Sequence, residues 1–332
     1  MKIIKILIIN ILLFYNQPAF SDEENFNDWL IKFKKEAMSN NISESTFNKV
    51  MKDARYLPKV IEYDRYQPEF YEDTLTYISK RTSKNKVKKG MQIYNDNKKL
   101  INNIDNNFNV EKELLLSLMG IETNFGTYLG KMDIISSLAT LSYDKRRKAF
   151  FTSELITLLK LVEKNIIDHN ILYGSWAGAY GNFQFMPSTI ENYAIDFNLD
   201  NKIELKSYED SFASAANYIN KLGWKKKGLC YKEITLLENV PKKYLNTSAR
   251  KLHHKKKIKS FKKYIKNFND LDIDSNELVA IITPDKDIIP DAETLKPAYI
   301  VFSNYELVLK WNRSLRFALA VCNLKDKIKN EL

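Results

Sequence analysis

A predominantly helical α+β protein is the fold class this sequence predicts, on three observations. Apolar residues recur at helical spacing over most of the chain. Two short runs, 278–283 and 298–302, are β-branched or aromatic, bounded by Pro and Asp, and read as strands. No internal repeat and no glycine- or proline-rich linker interrupts the 332 residues, which suffice for a real core and more than one subdomain.

The first stretch reads as an address. Lys2 and Lys5 precede an apolar run, Ile6 to Tyr15, far shorter than the ~20 residues a spanning helix needs. Ala19-Phe20-Ser21 offers small residues at the two positions a signal peptidase reads. Cleavage after Ser21 is expected, giving an exported protein. No cysteine stands beside that cut, so a lipid-modified N-terminus is not indicated. Loss of residues 1–21 lowers the net charge from +11 to +9. Positive charge suits a polyanion, and export argues against nucleic acid.

From Phe26 to Ala54 the pattern gives two amphipathic helices broken near Ser43 and Ser45. Pro68 marks a boundary in the aromatic stretch Arg65 to Phe70, and Phe70 to Phe108 is helical and polar. The core begins near Val110 and continues through Ile134 to Leu141 and the long helix Arg147 to Lys164. The loop Tyr173 to Phe185 follows. Two helices then flank a polar stretch, Asp196 to Ser207, and Gly223 ends the second.

Beyond Trp224 come the strands and a run, Arg250 to Lys266, with nine Lys or Arg, two His and no acid. A solvated basic face is its simplest meaning; a contact surface for anionic lipid or wall carboxylates is the sharper one. A last helix, Glu306 to Ile328, is expected to pack back on the helical body. The chain thus divides into a leader (1–21), a helical N-terminal subdomain (22–109), a helical core (110–228), a small β-containing subdomain with the basic run (229–303) and a C-terminal helix (304–332). Cys230 and Cys322, 92 residues apart, fit one bridge in an oxidising compartment or two buried thiols equally well.

Chemistry concentrates at Glu122. In LLLSLMGIETNFG, residues 114–126, Leu115, Leu118 and Met119 share a helical stripe whose next member is Glu122. A carboxylate therefore stands where an apolar residue is expected, with Gly126 close enough to end the helix. Burial disfavours the charged form and raises a carboxyl pKa from about 4.3, as a general acid at neutral pH requires. A helix-end glutamate capped by Asn124 or paired with an arginine reads the same spacing. The loop Gly174–Gly181 holds three of the nine glycines, and Asn182, Phe183, Gln184, Phe185 and Met186 follow before Pro187 opens a helix. Amides beside aromatic faces suit a sugar cleft; a tight interhelical turn suits them as well.

The blocks GIETNFG, SSLATLSYDKRRKAFF, GSWAGAYGNFQFMPSTIENYAIDF and ANYINKLGW, with RYQPEF at Arg65–Phe70 and NYELVLKWNRSLRFALAV at Asn304–Val321, resemble the membrane-bound lytic transglycosylase B family. The likeness runs from about Phe26 to Ile328. It implies a lysozyme-like catalytic core acting on peptidoglycan in the periplasm. Glu122 would be the single catalytic acid and base. Ser175, Gln184, Phe185 and Tyr218 would line the cleft. Asn312 matches the family's YN pair, here Trp311-Asn312. Trp311 and Phe317 stand where the family has tyrosines. Arg146 and Arg147 match a basic pair near the cleft, suited to lactyl or stem-peptide carboxylates, or form a charged helix start.

The implied reaction is intramolecular. Protonated Glu122 donates to the oxygen between N-acetylmuramic acid and N-acetylglucosamine, with the substrate's N-acetyl oxygen assisting, and the C6 hydroxyl then closes a 1,6-anhydro ring. A hydrolase would want two carboxyls, about 5–5.5 Å or ~6.5–9.5 Å apart; Asp133 and Asp144 are the next two acids after Glu122 along the chain. A hydrolytic muramidase and a non-catalytic wall-binding scaffold are the rival readings. Anionic membrane and other cell-wall enzymes are further partners to weigh.

Asp196, Asn198, Asp200 and Lys202 occupy positions 1, 3, 5 and 7 of a calcium-type loop, with Asp210 as its last ligand by resemblance. Asn201 replaces the glycine of position 6 and Ser207 the glutamate of position 12. A calcium or sodium ion and a metal-free Asx-rich turn both remain open; no cofactor is required.

Overall fold

The computed structural model describes residues 20–66, 72–286, 289, 293 and 295–332. The expected leader, apart from Phe20 and Ser21, and Gln67–Phe70 of the RYQPEF block lie outside the described residues.

Six helices precede the core: α1 (Phe20–Ser39), α2 (Glu44–Met51), α3 (Pro58–Arg65), α4 (Thr74–Arg81), α5 (Lys84–Asp96) and α6 (Lys98–Phe108). Short polar side chains start several of them. Ser43, Asp73 and Ser83 are extended and accept from the N–H groups of Thr46, Thr76 and Lys86. Then come α7 (Lys112–Thr123), α8 (Ile134–Tyr143), α9 (Lys148–Glu163), α10 (Pro187–Tyr193) and α11 (Tyr208–Lys221). The sequence expects one apolar stripe on α7. In the fold, residues Leu114 to Met119 have no exposed surface at all, so α7 is buried on every side.

The final helix expected over Glu306 to Ile328 is two helices, α12 (Ser303–Trp311) and α13 (Leu315–Lys329). Asn312 and Ser314 are extended, and the Ser314 hydroxyl accepts from Phe317 N–H to start α13. The break places Trp311 at a helix end. Helix α13 lies along α7, with Leu324 against Gly120. One apolar core runs through all of these helices, from Phe26 and Phe33 to Ile328.

A two-stranded ribbon, β1 (Met132–Asp133) with β2 (Tyr173–Gly174), pairs Met132 with Gly174. A second sheet holds β3 (Tyr231–Ile234), β4 (Leu245–Asn246), β5 (Lys256–Lys257), β6 (Leu278–Ile282) and β7 (Ala298–Val301). Its order is β3-β7-β6-β4. Strand β4 runs parallel to one end of β6, and β5 pairs antiparallel with the other end of the same edge. This sheet has a small core of its own, including Ile234, Phe261, Ile281 and Ile300. Cys230 and Cys322 are bonded, with Cα atoms 6.0 Å apart, and join the start of the β part to α13.

Candidate active site

Helix α7 is pinned at both ends. At its start the buried Glu111 accepts from the Trp224 indole N–H at 2.7 Å. At its end, three consecutive residues, Asn124, Phe125 and Gly126, take φ of 51°, 60° and 76°. A phenylalanine in the left-handed region is strained. Its ring is nonetheless buried, in a slot that only glycines leave open: a Cβ on Gly120 would come within 2.7 Å of Phe125 Cζ, and one on Gly90 within 3.0 Å. Thr123 ties the turn down, accepting from Gly126 N–H at 3.0 Å and donating to the Asn182 carbonyl at 2.8 Å. Two lysines of α5 reach the last carbonyls: Lys86 Nζ donates to Gly120 O at 2.8 Å and Lys89 Nζ to Asn124 O at 2.9 Å. Burial, then the charges of Arg81 and Lys89, lower the Lys86 pKa to about 8.

Glu122, half-buried in the last turn of α7, accepts from the indole N–H of Trp311: Nε1 to Oε1 is 2.9 Å. An indole nitrogen can only donate. Oε1 is therefore an acceptor, and the proton of a neutral Glu122 belongs on Oε2. Trp311 is itself the end of an aromatic stack. The Tyr218 ring lies on it at 5.0 Å and 28°, and Tyr193 lies on Tyr218 at 4.3 Å and 26°. Phe185 meets both Trp311 and Tyr218 edge-on, at 5.4 and 5.9 Å. The Tyr218 hydroxyl donates to Lys310 O at 3.4 Å, and burial raises its pKa above the usual phenol range.

The loop Gly174 to Phe185 is a closed turn. Ser175 Oγ accepts from Ala179 N–H at 2.9 Å, and Tyr180 and Phe185 exchange two 2.9 Å backbone bonds. Gln184 takes φ 52° and donates through Nε2 to Leu129 O at 3.2 Å and Gly181 O at 3.0 Å. It thereby links this loop to the one leaving α7. Close contact makes this possible: a Cβ on Gly130, where φ is 84°, would lie 2.1 Å from Gly174 O. The structure thus gathers Glu122, Trp311, Tyr218 and Phe185, with Gln184 holding the loop beneath them. Asn312 is half-exposed beside Trp311. Phe317 lies elsewhere, 4% exposed in the core at the first turn of α13.

Arg146 and Arg147 both grip Asp64 of α3. Arg146 Nε donates to Asp64 Oδ2 at 2.7 Å, and Arg147 Nη2 bonds to Oδ1. Burial alone would raise the Asp64 pKa; the two arginine hydrogen bonds outweigh it and hold the carboxyl below its usual range. In the polar loop, Asp196, Asn198 and Asp200 turn their oxygens onto the loop's own backbone. Asp196 takes the N–H groups of Asp200 and Asn201, and Asp200 takes that of Lys202. Buried Asp210 accepts from Phe197 and Glu204 N–H at 2.8 and 2.9 Å. Burial raises its pKa, against the pull of those amides. Among the described residues, no group of three or more His, Cys, Asp or Glu converges as metal ligands would.

Three parts of the site escape sequence reading. Tyr193 is an isolated aromatic at the end of a seven-residue helix, and only the stack identifies it. The bond from Trp311 to Glu122 spans 189 residues. Lys86 and Lys89 read as solvated charge in a lysine-rich segment. Their spacing of three does put them on one helix face.

Over 153 residues the chain is 37% identical to membrane-bound lytic murein transglycosylase B of Escherichia coli (strain K12), a stretch covering 46% of this chain and 42% of that protein. The chain thus spans less than half the length of that relative. Among solved structures, SltB3 from Pseudomonas aeruginosa in complex with NAG-anhNAM-pentapeptide superposes with a TM-score of 0.80 at 29% identity, over 92% of this chain and 79% of that one. The Escherichia coli lytic transglycosylase Slt35 in complex with bulgecin A shares the fold, with a TM-score of 0.75 at 24% identity over 94% and 95% of the two chains. Residues 25–326 match the family model described as the transglycosylase SLT domain, and the chain belongs to that family.

Proposed function

We propose that the chain is a peptidoglycan lytic transglycosylase. Glu122 would work first as acid and then as base, in the periplasm after cleavage of the leader. The observation that carries the reading is the Trp311–Glu122 hydrogen bond at the end of a buried helix and of an aromatic stack. Aromatic faces suit the apolar side of pyranose rings. Trp311, at the end of the stack, offers such a face beside the Glu122 carboxyl.

In this reaction Oε2 of protonated Glu122 delivers its proton to the oxygen linking N-acetylmuramic acid C1 to N-acetylglucosamine. The C1–O bond breaks, the leaving sugar departs as an alcohol, and C1 gains oxocarbenium character with help from the N-acetyl oxygen. Glu122 is now a carboxylate, and the donated indole N–H strengthens against it. It then accepts the proton of the C6 hydroxyl as O6 bonds to C1. Proton count closes without water, and the product ends in a 1,6-anhydro ring.

The test is the mass of the products from purified wall. Anhydro ends, one water lighter than hydrolytic ends, support the proposal, and Glu122→Gln should abolish them while the protein still binds wall. Ends of hydrolytic mass would favour a muramidase. Unchanged function in Glu122→Gln would favour a binding scaffold.

A further inference from the structure

Between Glu238 and Asp270 the chain carries ten Lys, one Arg and no acid. Of its 52 Lys and Arg, these 11 leave 41, equal to its 41 Asp and Glu. The whole net charge of +11 therefore resides in one stretch of the β part, and the rest of the chain is balanced. A lysine-rich composition spread along the chain would not segregate charge in this way.

The fold draws part of this stretch together. Tyr244 ends the turn Lys242–Tyr244 before β4, Lys256 belongs to β5, and Lys263 lies in the turn Ile258–Tyr264. Lys243 and Lys256 place their Nζ atoms 5.5 and 5.2 Å from the centre of the Tyr244 ring. Lys263 Nζ lies 5.1 Å from the centre of the Tyr264 ring, itself 6.0 Å from that of Tyr244. The Tyr244 ring is anchored, meeting the buried Phe261 edge-on at 5.4 Å. Above all a hydrogen bond from Lys256, and then the charges of Lys256, Lys243 and Lys263, hold the Tyr244 phenol below its usual range.

Three ammonium groups crowded around one phenol repel one another. Among the described residues, none of the three pairs with a carboxylate; the one ion pair of the stretch runs from Lys255 to Glu306. An anion seated at the Tyr244 hydroxyl relieves that repulsion. The donors select its chemistry. A planar carboxylate is matched by the fork of an arginine, whereas lysines act as separate point charges, which suits the several oxygens of a phosphate group. With Lys256 donating to the phenol oxygen, the Tyr244 O–H is left to donate to the same anion.

We infer that Lys243, Lys256 and Lys263, set around Tyr244, form a phosphate-binding site built on the core of the small sheet. Phosphate reaches it either free in solution or on the headgroup of an anionic lipid, and binding measurements separate the two.

The full chain is tested with two probes at low salt: inorganic phosphate, read by calorimetry, and mixed vesicles of phosphatidylcholine and phosphatidylglycerol, read by flotation. At least one should bind, and vesicles of phosphatidylcholine alone should not. Lys243→Gln, Lys256→Gln and Lys263→Gln together should weaken that binding roughly hundredfold, the scale of three lysines at an anionic surface. Three other exposed lysines of the stretch, Lys242, Lys257 and Lys266, lie over neither ring. Changing those three to Gln removes the same charge and should weaken binding roughly threefold at most. Tyr244→Phe keeps every charge and should weaken it roughly tenfold, the contribution of one hydrogen bond. Unchanged melting temperatures and unchanged cleavage of soluble wall fragments would show that each variant keeps its fold. Loss of phosphate binding supports a soluble ligand and loss of vesicle binding a lipid headgroup; either supports the site. Equal loss in the two lysine triples, or no effect of Tyr244→Phe, would overturn it and leave a solvated basic face. So would failure of both probes to bind.

Discussion

At the residue scale, a single donor marks Oε1 of Glu122 as an acceptor. Where the family resemblance leads one to expect a tyrosine hydroxyl, able to give or to take a hydrogen bond, Trp311 can only give. Trp311→Phe keeps most of the stacking and removes the donor. A hydrogen bond to a charged group contributes about 1.5–3 kcal/mol, so kcat on purified wall should fall roughly 10- to 100-fold with KM little changed. A loss confined to KM would contradict this role. Asp64 makes a different residue-level case. Its folded pKa is held below the unfolded value, so its stabilising contribution is present above the usual carboxylate range and is lost as pH falls through the lower folded value. Asp64→Asn leaves two guanidiniums without their carboxylate and should cost about 3 kcal/mol in urea unfolding at pH 7. That penalty should shrink in strong acid.

At the scale of elements, the exit of α7 is held by shape as well as by the hydrogen bonds of Thr123, Lys86 and Lys89. Gly120→Ala puts a methyl group into the Phe125 ring, so about 1–3 kcal/mol of stability should be lost, with activity falling because Glu122 sits two residues away. Paired melting and turnover measurements would show both effects. Lys86, like Asp64, makes stability rise with pH, but because its charged form is the one the fold disfavours. Its pKa is lowered to about 8 in the fold, so the unfolded chain binds the extra proton between there and the ordinary lysine range. Wild type should therefore gain stability relative to Lys86→Gln as pH rises from 8 toward 10.5, read from urea midpoints at each pH.

These elements also show what is legible in a sequence. Helical periodicity marks α8 and α9 within a residue or two, and an acid on an apolar helix marks Glu122. The break between α12 and α13 is harder, because Asn312 and Ser314 are two polar residues inside an otherwise continuous amphipathic pattern. Strands β4 and β5 have two residues each, too short to carry any alternation, and β5 is a pair of lysines on an edge. Partners such as Trp311 and Glu122, or Tyr193 and Tyr218, are set by tertiary packing alone.

For the whole molecule, one helical body carries Glu122, and a small sheet with its own core stands beside it. The bond between Cys230 and Cys322 spans both. Cys230→Ser with Cys322→Ser should lower stability by roughly 2–4 kcal/mol, seen as a lower urea midpoint. The same bond gives the molecule a covalent topology that a linear chain lacks. Everything from β3 through α12 is a closed ring of polypeptide, with the helices before β3 and the last turns of α13 as its two tails. A single protease nick between β5 and β6 would linearise that ring without shedding a fragment, so the cut protein should run as one species until a reductant is added and as two afterwards.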